Sequence, residues 1–172
     1  FIETQLAYVR QAQDMSVMTR LDLKGWLPLH HALRNNAPLG SIKLLVEGNP
    51  SAVRVIDYKG MLPLHVACEF SAANAVQLVA ERSDGFLNHC DTNKNSPLHY
   101  ACRGGNCGAV KYLLGRHVPS VSERNAENKL PIHLLCEVGT ERVDHDSPEY
   151  VEAIWMLLLA HPETVLQTRK RR

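Results

Sequence analysis

Leu27-Pro28-Leu29-His30, Leu62-Pro63-Leu64-His65, Ser96-Pro97-Leu98-His99 and Leu130-Pro131-Ile132-His133 are four copies of one phrase. The prolines Pro28, Pro63, Pro97 and Pro131 stand 35, 34 and 34 residues apart. Self-similarity at a fixed period of this length marks a solenoid of stacked supersecondary units. Each copy extends beyond its core. Asp22, Asp57, Asp91 or Asn125 lies six residues before the proline. Ala32, Ala67, Ala101 or Leu135 lies two residues after the histidine, followed by Leu33, Cys68, Cys102 or Cys136. An apolar run comes eleven or twelve residues past the first three histidines: Ile42-Leu44-Leu45, Val76-Leu78-Val79 and Val110-Leu113-Leu114.

This pattern of turn, Pro-Leu-His-x-Ala and second apolar run resembles the ankyrin repeat. The resemblance covers residues 6 to 168, and four in-register copies make it specific. It implies an all-α ankyrin-repeat solenoid of stacked helix pairs joined by short β-hairpin-like loops. The expected organisation is one array over 1–172. A partial N-terminal repeat would occupy 1–21 and full repeats 22–56, 57–90, 91–124 and 125–168, with 169–172 starting a further repeat or forming a basic tail. Residues 2–13 carry Ile2, Leu6 and Val9 at helical spacing and read as the second helix of the partial repeat. The sequence opens inside this predicted helix and stops where another repeat would start, the pattern expected of a fragment of a longer protein.

Local chemistry explains the phrase. A proline at the first helical position loses no hydrogen bond, because its missing N–H would be unpaired there. Gly25 and Gly60 suit a tight turn with positive φ, and Lys94 and Asn128 occupy the same place in the later copies. Ankyrin repeats usually place a capping Thr before the proline. Here only Ser96 keeps a hydroxyl, and Leu27, Leu62 and Leu130 trade a cap of about 1 kcal/mol for apolar burial. Pro50, Pro119 and Pro162 follow the second helices and terminate them. The fourth repeat is ten residues longer between its histidine and its second apolar run, and the insertion at Val138 to Asp146 is expected to form a polar surface loop. Ser147-Pro148-Glu149 then restarts the helix with a capping serine, a first-turn proline and an early acid.

Composition narrows the function. The chain is 45% hydrophobic and 22% charged with a net charge of +1, which disfavours a nucleic-acid partner held by bulk electrostatics. The longest uninterrupted apolar stretch, Ala153 to Ala160, is too short to span a bilayer, so no membrane insertion is expected of these residues. Five cysteines, three of them at equivalent repeat positions, fit packing in a reducing compartment and an intracellular protein, cytoplasmic or nuclear. No Gly-rich phosphate loop, G-x-S-x-G elbow or H-E-x-x-H is present, and neither catalysis nor a cofactor is expected. The His-x-x-Cys pairs 65/68, 99/102 and 133/136 share helix faces, as zinc ligands can. Spacing alone is weak evidence for metal, and the expectation is a packed, metal-free set. Asp144-His145-Asp146 reads as a solvated loop rather than a metal cluster. Arg169 to Arg172 could serve targeting or phosphate binding, or simply be solvated.

The resemblance implies a protein–protein interaction module that binds on the concave face made by hairpin tips and first helices. Carried over position by position, the expected partner-binding residues are Leu23, Lys24, Trp26, Arg34, Tyr58, Lys59, Met61, Glu69, Phe70, Asn93, Asn95, Arg103, Glu127 and Lys129. Trp26, Tyr58, Met61 and Phe70 are expected to face solvent as anchors, with charges in the last two repeats setting register. His30, His65, His99 and His133 are expected to be structural, bonding backbone between hairpins. The alternative is a regulatory ankyrin domain of a larger enzyme or channel whose chemistry lies elsewhere.

Overall fold

The structure, a computed structural model, describes residues 20–83, 85–116, 119–138 and 143–162. The readings of residues 2–13 and 169–172 lie outside these. Eight α-helices occur among the described residues: α1 (Pro28–Arg34), α2 (Leu39–Gly48), α3 (Pro63–Phe70), α4 (Ala73–Arg82), α5 (Pro97–Gly104), α6 (Cys107–Gly115), α7 (Pro131–Cys136) and α8 (Pro148–Ala160). Each repeated proline is the first residue of its helix. The odd-numbered helices pack on one another in sequence as an inner row. The even-numbered helices, carrying the second apolar runs, form an outer row against them. No strand is formed among the described residues.

One turn chemistry builds all four hairpins. The acid or amide six residues before the proline bends its side chain over its own loop. Asp57 Oδ1 accepts the N–H groups of Lys59 and Met61, both at 2.8 Å. Asp22, Asp91 and Asn125 repeat the arrangement on residues 24 and 26, 93 and 95, and 127 and 129. This is the Asx-turn logic by which short polar side chains replace backbone partners. The residue before the last loop position takes positive φ: +77° at Gly25, +76° at Gly60, 60° at Lys94 and 61° at Asn128. Lys94 is held there although an L side chain disfavours it. Backbone bonds from Tyr58 N–H to Lys24 O, Thr92 N–H to Lys59 O and Ala126 N–H to Asn93 O link successive hairpins.

The leucines before the prolines are buried, as are Leu29, Leu33, Ile42, Leu64, Leu98, Leu113, Leu135 and Leu157 in the core between the rows. With no capping oxygen at Leu27, Leu62 and Leu130, the N–H of each histidine bonds the leucine carbonyl instead. At Ser96 the hydroxyl takes up this capping role and lies 2.9 Å from His99 Nδ1. Side chains also cross between repeats to backbone: Ser71 Oγ–H donates to Leu33 O, and Asn106 Nδ2–H donates to the carbonyls of Cys68 and Ser71. Pro50 and Pro119 open short 3₁₀ turns, 50–54 and 119–122, that carry the chain toward the next hairpin.

The described part of the fourth-repeat insertion corrects the expectation of a purely solvated loop. Val143 is half-buried beside Val138 and the Gly105 turn, so tightly that a Cβ on Gly105 would collide with it. His145 donates from Nε2 to the Val138 carbonyl at 2.9 Å and stacks on Tyr150, whose hydroxyl reaches Leu135 O. Val143 and His145 are therefore held against the rest of the array by specific contacts.

Candidate partner-binding face

Two columns of side chains run along the hairpin and inner-helix side of the solenoid, one residue per repeat. The first column stands two residues before each proline: Trp26, Met61, Asn95 and Lys129. Trp26 was expected to face solvent and is instead 6% exposed. Its indole N–H donates to Asp57 Oδ2 at 2.8 Å, across to the next hairpin. Met61, expected exposed, is 9% exposed, with its sulfur 2.9 Å from the Tyr100 hydroxyl, which donates to Asp91 Oδ2. Asn95 is buried and accepts from Asn125 Nδ2 at 2.9 Å. The physical reason is shared. This position points along the solenoid axis, where the Asx-turn side chain of the following repeat awaits a donor or neighbour. Phe70 is also corrected, being half-buried beneath the Arg34 guanidinium, 5.0 Å from the ring centroid.

The second column stands six residues after each proline: Arg34, Glu69, Arg103 and Glu137. Its charges alternate. Arg103 grips Glu69 with two bonds, Nε to Oε1 at 3.2 Å and Nη2 to Oε2 at 3.0 Å, while lying 4.2 Å over Tyr100. Glu137 receives Lys129 Nζ at 2.8 Å, and Lys129 also meets Glu127 at 3.2 Å. Between the third and fourth repeats Arg103, Glu127, Lys129 and Glu137 line a cavity of about 240 Å³ together with Leu134, Val138, Asn95 and Asn125.

The hairpin tips turn outward. Leu23 is 98% and Tyr58 72% exposed, and Lys24, Lys59, Asn93 and Glu127 are exposed beside them. Tyr58 lies against the neighbouring hairpin, where a Cβ on Gly25 would stand 3.3 Å from its ring.

The repeat histidines share one bond at Nδ1, whereas the expected bond to the next hairpin is missing at His30, whose buried Nε2 has no partner among the described residues. Nδ1 of His30, His65, His99 and His133 accepts the N–H of the residue before the proline, at 3.0–3.2 Å. That leaves Nε2 protonated. His65 donates it to His89 O and His99 to Lys129 O, each in the segment leading to or forming the next hairpin. Burial holds His30 and His65 down to about 4 and lowers His99. Burial likewise raises the thiols of Cys68, Cys90, Cys102, Cys107 and Cys136, so none is a ready thiolate at neutral pH. Among the described residues no group of three or more His, Cys, Asp or Glu is placed to hold a metal. No described helix is long and apolar enough to cross a membrane.

The family model described as ankyrin repeats (3 copies) matches residues 4–86, and the model described as ankyrin repeats (many copies) matches residues 78–135. The chain belongs to the ankyrin-repeat family. No curated protein matches the chain. Ankyrin repeats are in general protein–protein interaction modules built on a non-catalytic fold.

Two features escaped the sequence reading. One is the structural role of Asp22, Asp57, Asp91 and Asn125, whose signal was their fixed place six residues before the proline. The other is Val151, Trp155 and Leu159 on α8, spaced four apart and all exposed. Only Trp155 and Leu159 fall in the apolar stretch Ala153 to Ala160, and with Val151 their spacing puts them on one face.

Proposed function

We propose that this ankyrin-repeat array binds a protein partner on its hairpin and inner-helix face, anchored at the tips of the first two repeats. The observation that supports this most directly is the outward pair Leu23 and Tyr58, a large aliphatic and a large aromatic side chain held exposed on neighbouring rigid hairpins. Aromatic anchors of this kind carry a disproportionate share of interface energy. The hairpins present them at little conformational cost, because Asx turns and inter-hairpin bonds already fix the backbone. Lys24, Lys59 and Asn93 supply polar contacts around this pair, and the charged cavity of repeats three and four sets register.

The test compares capture by the wild-type chain with capture by Leu23→Ser/Tyr58→Ser and by Gln77→Ala on the outer helix α4. The first variant is expected to lose specifically captured proteins while its circular dichroism and urea midpoint stay unchanged. Gln77→Ala should capture as wild type does. Equal capture by all three would overturn this assignment of the face.

A further inference from the structure

The alternating column contains its own precedent for the chemistry it can perform. Where a carboxylate is available, as at Arg103, the arginine lies over an aromatic ring and takes both oxygens of Glu69. Arg34 occupies the equivalent position one end of the column away. It too lies over rings, 5.0 Å from the Phe70 centroid and 5.7 Å from that of Trp26. Lys24 Nζ lies 5.5 Å from the same indole centroid. Yet neither Lys24 nor Arg34 forms an ion pair among the described residues.

The nearby carboxylates are engaged elsewhere. Glu69 has both oxygens on Arg103. Asp57 is buried, with Oδ2 on the Trp26 indole and Oδ1 on two backbone N–H groups. Asp22 uses Oδ1 for its own turn and Oδ2 for His31 at 2.9 Å. Two exposed cations thus converge on one buried indole platform. Their positions are steadied by the rings, and their charge is left without a counter-group.

We infer that Lys24 and Arg34, seated on Trp26 and Phe70, form a carboxylate-binding site that receives an acidic side chain of a protein partner. This rests on the reading of the same face as the partner surface. The partner's carboxylate does for Arg34 what Glu69 does for Arg103. At the other end of the column Glu127 and Glu137 share the single cation Lys129, so the charge balance reverses along the groove. A bound segment therefore lies with its acidic residues over the first repeat.

The probe is fluorescein-labelled hexaglutamate, titrated by fluorescence anisotropy at low salt, with hexalysine as the opposite-charge control. Lys24→Ala/Arg34→Ala should weaken hexaglutamate binding roughly tenfold and flatten its salt dependence, as loss of two charge contacts predicts. Lys43→Ala/Lys94→Ala removes the same net charge from other exposed positions and should leave binding near wild type. Circular dichroism confirms that both variants are folded. Equal weakening by the two double variants, or no measurable hexaglutamate binding, would overturn the site. A phosphoserine hexapeptide binding far more tightly than hexaglutamate would reassign it to phosphate. Loss of partner capture on substituting Leu23 and Tyr58, with hexaglutamate binding insensitive to Lys24 and Arg34, would refute this site alone. The converse result would refute the partner face alone.

Discussion

Trp26→Ala lowers stability by about 3–5 kcal/mol, the range for removing a large aromatic side chain from a packed interior. The indole is enclosed between the first and second hairpins, next to His30 and His31, and its N–H satisfies buried Asp57. Truncation therefore opens a cavity and strips a donor from a carboxylate that also organises the second hairpin. Trp26→Phe separates the two effects. It keeps most of the ring and leaves Asp57 Oδ2 without its indole partner, at a cost of about 1–3 kcal/mol. Urea unfolding followed by circular dichroism measures both. An unchanged midpoint for Trp26→Ala would mean that the indole is not enclosed, restoring it as a surface residue.

Acid weakens the fold well before carboxylates titrate. Burial lowers His30 and His65 from 6.5 to about 4, against smaller opposing pulls from Asp57 and Asp91, and His99 moves the same way. Between pH 6.5 and 4 the unfolded chain binds protons at these imidazoles that the folded chain does not. Stability therefore falls as pH drops through that window, the unfolded state being the one that gains protons. At about 1.4 kcal/mol per unit, the full window is worth ~3 kcal/mol for each of His30 and His65. Geometry gives the reason. Nδ1 is the acceptor for the N–H before the proline, and a protonated ring cannot accept. The urea midpoint should thus decline steadily from pH 7 to pH 5. A flat midpoint over that interval would contradict neutral, buried histidines.

The fold was legible in the sequence because its signals are local and repeated. Proline at the first helical turn, histidine two residues on and a positive-φ residue in the turn each act within a few positions of themselves. Four copies in register exclude coincidence. The face was less legible, because the fate of a hairpin residue is decided about one repeat away. Trp26 is buried by Asp57, Met61 meets Tyr100, and Asn95 meets Asn125. Nothing adjacent to Trp26 in the chain announces this. Its column holds Trp, Met, Asn and Lys, so no shared hydrophobicity marks the position as inward. The repeated acid or amide six residues before each proline was the usable clue, since a side chain capping its own loop has a second oxygen or an amide to offer the preceding repeat. The insertion was misjudged for a similar reason. His145 and Val143 look like loop residues by composition, and their partners Tyr150 and Gly105 lie outside the insertion.

The outcome is a division of labour along each hairpin. Trp26, Met61 and Asn95 fasten repeats together, while Leu23 and Tyr58 remain outside. Site-specific photocrosslinking tests that division most directly. Benzoylphenylalanine is placed at position 58 in one sample and at position 77 on α4 in another. The full chain is irradiated in extract of its source cells, and adducts are resolved by mass. Position 58 is predicted to give a discrete covalent adduct with a protein partner, and position 77 none. Adducts at 77 but not 58, or the same products from both, would contradict a partner surface on the hairpin face.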